Sequence, residues 1–193
     1  MAGRQQWLDT GLIILGDLGA RAITIERLAD TLGLTKGSFY HHFKGMPGYK
    51  AEFLAFYEAH YTTRYIEQVE SSRARDPGGS PEDALRSLVR AVRSDTSDWR
   101  TEVGLRAWAQ QDADVRAVQQ RIDATRQDYL FSLWSDFVDD PARAEQLARL
   151  CYLALIGAGH VLPPADPGEI ERLYDGLIAL TAGPHEIVRR VSG

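Results

Sequence analysis

Residues 24–44 read TIERLADTLGLTKGSFYHHFK, and the spacing within this stretch decides the fold. Ile25, Leu28, Ala29 and Leu32 stand at i, i+3, i+4 and i+7, the one-sided pattern of a short amphipathic helix. Thr24 precedes it as an N-cap candidate, and Glu26 sits in the first turn, where the helix dipole favours a carboxylate. Gly33 follows the last turn. The spacing predicts a second helix over 36–42, capped by Thr35. Two short helices joined by Gly33-Leu34-Thr35 have the dimensions of a helix-turn-helix. Gly33 supplies the positive φ that so tight a turn demands, Ala29 is small where the helices must cross, and Leu34 fits the angle between them.

On a helical wheel of about 100° per residue, the second helix sorts its side chains. Phe39 and Phe43 fall together and face the core. Lys36, Gly37, Tyr40, His41 and Lys44 share the outer arc, with Ser38 at its edge and no acid among them. That arc suits a polyanion: Lys36 and Lys44 bring charge, Tyr40 brings a donor hydroxyl, and Gly37 lets the backbone approach a groove closely. Free N–H groups at the helix start add affinity for phosphate.

Working outward, the chain reads as all-α, with about nine helices. A first helix over 4–18 buries Trp7, Leu8, Gly11, Leu12 and Leu15 and ends at Gly19. A fourth begins near Pro47 and runs to about residue 72. The loop DPGGSP (76–81) leads to a fifth helix capped by Ser80, and a sixth and seventh follow over about 99–110 and 112–138. Asp140-Pro141 opens the eighth, PPADPG (163–168) closes it, and the ninth carries Ile170, Leu173, Tyr174, Leu177 and Leu180. A short last turn is expected over 184–190.

Composition narrows the class. The 193 residues are 44% hydrophobic and 25% charged, ordinary for a soluble globular chain. The single cysteine, Cys151, rules out an intrachain disulfide and a Cys-cluster zinc site. The most apolar run, 147–162, is interrupted by Arg149 and His160 and is too short to span a bilayer. The opening MAGRQQWLDT resembles neither a signal nor a transit peptide, so a cytoplasmic protein is expected, with no membrane partner, cofactor or metal. Residues 1–50 hold six basic and four acidic side chains, so the acidic excess behind the net charge of −5 lies wholly in the remainder. A mildly basic head on an acidic body fits a head that meets DNA.

At Thr24-Ile25-Glu26-Arg27-Leu28-Ala29 and at Leu34 to Lys44, the sequence resembles the TetR family of transcriptional regulators, nearly position for position over about residues 8–55. The aromatic ending Tyr40-His41-His42-Phe43 is the most specific part, and the run Ala107 to Asp112 is also similar to family members. The resemblance implies a helix-turn-helix DNA-binding domain over 1–48 and a helical effector-binding and dimerisation domain over 49–193. It implies that Thr24, Thr35, Lys36, Gly37, Ser38, Tyr40, His41 and Lys44 meet DNA. One position departs: the third residue after Phe43, where relatives carry a phosphate-binding Lys, is Met46, leaving Lys44 or Lys50 as substitutes.

The function so implied is that of a homodimeric repressor on a palindromic operator of double-stranded DNA, released by an effector. A dimer would set two recognition helices about 34–36 Å apart in successive major grooves. Its expected interface lies on the last two long helices, where Ala154, Gly157 and Ala158 allow close approach and Leu150, Leu153, Leu173 and Leu177 supply apolar area. The body's aromatic residues are candidates to line a pocket for a small apolar or aromatic effector. They are Tyr57, Tyr61, Trp99 and Trp108, then Tyr129, Trp134, Phe137 and Tyr152, with His160 as a polar group. A rival reading keeps the fold and the dimer but has no DNA partner. An enzyme is not expected: Cys151 lies in an apolar run nine residues from His160, and no phosphate loop or HExxH occurs.

Overall fold

The computed structural model describes residues 3–94, 99–136 and 138–181. Phe137, the turn expected over 184–190 and the side chain of Leu180 lie outside the described residues. In chain order the elements are α1 (Arg4–Leu18), a 3-10 turn (Ala20–Ala22), α2 (Ile25–Leu32), α3 (Lys36–His42) and α4 (Gly45–Glu58). A π-helical segment (Ala59–Thr63) leads directly into α5 (Arg64–Arg75). Then come α6 (Pro81–Ser94), α7 (Trp99–Ala109), α8 (Ala113–Ser135), α9 (Pro141–His160) and α10 (Pro167–Thr181). The protein is all-α, and the described residues contain no strand. The long fourth helix begins two residues earlier than Pro47, at Gly45, whose φ of 74° only a glycine adopts without strain.

The chain forms two compact units, Met1–Arg64 with Ser97–Ala124, and Tyr65–Thr96 with Thr125–Gly193. In the first, α1 is the central rod. Trp7, Leu12, Ile14 and Leu15 are buried, and α2, α4 and α7 pack around them. An aromatic cluster fills the space under α3. The Trp7 ring meets Phe39 edge-on at 5.4 Å, Phe43 meets Tyr49 edge-on at 5.0 Å, and Tyr49 stacks on Phe53 at 5.9 Å. Each buried ring of this size contributes about 1.5–3 kcal/mol through burial, and edge-on pairs add about 0.5–1.5 kcal/mol.

Two glycines let the rods approach. A β-carbon on Gly11 would stand 2.1 Å from the Tyr49 hydroxyl, which itself donates to the Trp7 carbonyl at 2.9 Å. A β-carbon on Gly104 would stand 2.8 Å from the Leu15 carbonyl oxygen, so α7 crosses α1 at backbone distance. Arg100 pairs with Asp17 at 2.9 Å beside that crossing.

In the second unit, α10 packs on α6 and α9. Leu85, Trp134, Cys151, Tyr152, Ile170, Tyr174 and Ile178 are buried. The Tyr174 hydroxyl donates to the Cys151 carbonyl at 2.8 Å. Helix starts follow the local chemistry: Ser80 accepts from the Asp83 N–H at 3.2 Å, and Asp140 accepts from Ala142 N–H at 3.1 Å ahead of Pro141.

Candidate nucleic-acid interface

The site is built by caps and a turn. The Thr24 hydroxyl accepts from the Arg27 N–H at 3.2 Å, and the Thr35 hydroxyl accepts from the Ser38 N–H at 3.3 Å. Each satisfies one of the orphan donors at a helix start. Gly33 takes φ 64°, ψ 33°. Its N–H donates to the Asp30 carbonyl at 3.1 Å, and the next N–H, of Leu34, donates to the Ala29 carbonyl at 2.9 Å. This is a Schellman ending, which fixes the angle at which α3 leaves α2.

α3 divides as its sequence predicts. Phe39 is fully buried and Phe43, at the C-cap, is 2% exposed. Thr35, Lys36, Gly37, Tyr40, His41 and Lys44 are exposed, with Ser38 half-buried at the edge. Tyr40 is 59% exposed. A β-carbon on Gly37 would meet only the Thr35 hydroxyl oxygen, at 3.6 Å, so this face is open. Thr24 is exposed at the start of α2 and lines a shallow depression with Glu26, Arg27, Asp30 and Thr31. Arg27, not among the residues expected to meet DNA, is an exposed cation in that depression.

The arc is acid-free along α3 but not in space. α2 brings the Glu26 carboxylate to 2.5 Å from the Lys36 ammonium. The hydrogen bond from Lys36 holds the Glu26 carboxyl below its usual range, and the bond to Glu26 raises Lys36.

The two substitutes for the Lys absent at Met46 part company. Lys44 is exposed at the N-cap of α4. Lys50 is held by Asp112, at 2.7 Å to each oxygen, and by Asp114 at 2.9 Å. Burial works against its charge, but the two carboxylates prevail and raise it, while the bond from Lys50 lowers Asp112. Asp112 also accepts from the N–H groups of Asp114 and Val115 at 3.0 and 3.2 Å, capping α8. Lys50 is therefore committed inside its own unit, and Met46 is half-buried against the aromatic core.

The candidate effector residues fall in two sets. In the first unit Tyr57 is buried, donates to Glu102 at 2.5 Å and lies 4.8 Å from the ring of half-buried Tyr61. Trp108 is half-buried beside Phe53 at 6.3 Å, and Trp99 is half-buried at the start of α7. In the second unit Trp134 and Tyr152 are buried, Tyr129 donates to Glu70 at 2.8 Å, and His160 is exposed at the last turn of α9. Cys151 is buried and its thiol is pushed up to about 12 by burial, so it is inert packing. Among the described residues no cluster of His, Cys, Asp or Glu is placed to hold a metal, and no helix is long and apolar enough to cross a membrane.

Residues 8–47 match the sequence model of the bacterial regulatory proteins of the tetR family. The helix-turn-helix segment is thus similar to that of the TetR family of transcriptional regulators. No curated protein matches its sequence. Solved structures of TetR proteins share its fold over nearly the whole length. A transcriptional regulator of the TetR/AcrR family superposes with a TM-score of 0.74 at 19% identity, covering 92% of this chain and 97% of that one. A TetR-family regulator from Streptomyces coelicolor gives 0.73 at 15% identity, covering 93% and 90%. The TetR-family repressor FadR of Thermus thermophilus, in complex with lauroyl-CoA, gives 0.58 at 15% identity, covering 93% of each.

Proposed function

We propose that this TetR regulator is a homodimeric repressor that grips a palindromic operator with α3 and lets go when a small apolar or aromatic effector binds. Residues 1–48 take the DNA-binding role and 49–193 the effector and dimer roles. The carrying observation is the division of α3: the Phe39 and Phe43 side is sealed, while Lys36, Gly37, Tyr40, His41 and Lys44 stand open together. Thr24 and Thr35 add hydroxyls at the two helix starts, and Lys44 rather than Lys50 supplies the phosphate contact displaced from Met46.

Support for the dimer comes from α9 and α10. Leu150 and Leu153 are 50% and 53% exposed on α9, and Leu173 is 49% exposed on α10. A β-carbon on Gly157 would meet nothing within 4 Å, as befits a site for a facing helix. Ala154 and Leu177 are half-buried, and Ala158 is buried within the monomer. A TetR fold that holds lauroyl-CoA supports an apolar effector. An effector moves the equilibrium only by its differential affinity for the bound and released states.

The test is selection of bound fragments from a random DNA pool with the purified chain. A palindromic consensus, bound with affinity that falls steeply with salt, is expected. Flat, salt-independent retention without a consensus would refute DNA binding.

A further inference from the structure

We propose that Glu26 competes with DNA phosphate for Lys36, weakening the grip of each head on any duplex. The inference rests on DNA binding by α3 and concerns its strength. Lys36 opens the exposed strip of α3, and its ammonium is 2.5 Å from the Glu26 carboxylate. Both side chains face water, with relative exposures of 58% and 61%. An ion pair this exposed is weakly held and screened by salt, so it can open to admit another anion. Asp30 on the same helix also acts on the Lys36 charge. Tyr40, on α3 itself, is the other group that acts on it.

The caps and the turn of the fold are made without this pair. Thr24 already caps α2, Thr35 already caps α3, and backbone bonds through Gly33 set the turn between them. Glu26 is in the first turn of α2, where the helix dipole holds it ionised. When a phosphate reaches Lys36, the Glu26 carboxylate is left beside that second anion. The same Lys36 charge cannot fully serve both partners. A head so attenuated holds non-operator DNA loosely, and the remaining contacts must decide where it stays.

The experiment compares the full chain with Glu26→Gln, Lys36→Ala and the double variant, on a random-sequence duplex titrated across salt. A full phosphate contact changes affinity about eightfold between 1 M and 0.1 M salt, from a slope of about 0.9 per contact. Glu26→Gln is expected to tighten binding about two- to eightfold per head, and to steepen the salt slope by up to about 0.9 per head. In the Lys36→Ala background the same change is expected to do less than about twofold. Unchanged or weaker binding by Glu26→Gln overturns the proposal, because the carboxylate would then be idle or would be orienting Lys36 for DNA. An equal gain without Lys36 also overturns it, since Glu26 would then repel DNA directly. Circular dichroism of each variant confirms that the helices persist. If the parent chain binds no duplex at any salt, DNA binding itself fails and this inference with it; if the parent binds and only the variant disappoints, DNA binding stands.

Discussion

Replacing Gly11 with alanine sets two effects against each other, and the structure decides which wins. Alanine in a helix interior gains about 1 kcal/mol over glycine. The new methyl group, however, would stand 2.1 Å from the Tyr49 hydroxyl and 2.9 and 3.0 Å from two carbons of the Phe53 ring. Both rings are buried, at 1% and 0% exposure, so neither can swing out into solvent without uncovering the core. Overpacking of this kind costs about 1–3 kcal/mol. Displacing the Tyr49 hydroxyl also breaks its 2.9 Å bond to the Trp7 carbonyl, a further 0.5–1.5 kcal/mol or about that. The net expectation is a loss of about 1–3 kcal/mol in urea unfolding. Tyr49→Phe removes the clashing oxygen, so Gly11→Ala with Tyr49→Phe should cost less than the sum of the single changes, by about 1 kcal/mol. An alanine variant as stable as the parent, or strict additivity in the double variant, would refute the argument that close approach rather than chain flexibility placed glycine there. Because Tyr49 also touches Phe39 and Phe43, DNA affinity should fall along with stability.

Four further outcomes are open to measurement. Lys44→Ala should lower the salt slope of DNA binding by about 0.9 per head, whereas Lys50→Ala should leave the slope alone and lower the unfolding midpoint. Asp112 is ionised more readily in the folded chain than unfolded, so its pairing with Lys50 stabilises fully at neutral pH and is lost as pH falls below the ordinary carboxylate range; Asp112→Asn should flatten that acid limb in unfolding curves, and an unchanged limb would assign the acid sensitivity elsewhere. Leu150→Glu with Leu153→Glu should give a monomer in sedimentation with helicity intact, and a persisting dimer would move the interface off α9. Cys151 should resist alkylation until the chain unfolds, as its burial and raised thiol require; prompt labelling of the native protein would contradict this.

The parts of the fold written locally were legible. Thr24, Thr35, Gly19 and Gly33 each act within a few residues of themselves, so the end of α1, both ends of α2 and the start of α3 follow from local capping chemistry. The exposed strip of α3 was legible for the same reason, since a wheel needs only one helix. What depends on distant chain was hidden. Glu26 reaches Lys36 only because the Gly33 turn folds α2 against α3. Lys50 looked free in sequence and is captured by carboxylates 62 and 64 residues away. The close crossing at Gly104 has no local marker. The π-helical segment Ala59–Thr63 falls within a stretch whose composition reads as plain helix, because one extra residue per turn leaves no trace in apolar spacing.

The first unit has a consequence for the order in which the protein comes off the ribosome. Leu105, Ala109, Val115 and Ile122 are buried in the same core as Trp7, Leu15 and Phe39. The helix-turn-helix segment is therefore synthesised long before the side chains that finish its cover. Until Ile122 has emerged, a nascent chain holds a helix-turn-helix whose apolar flank is incomplete, so the proposed grip on DNA would become available late in translation.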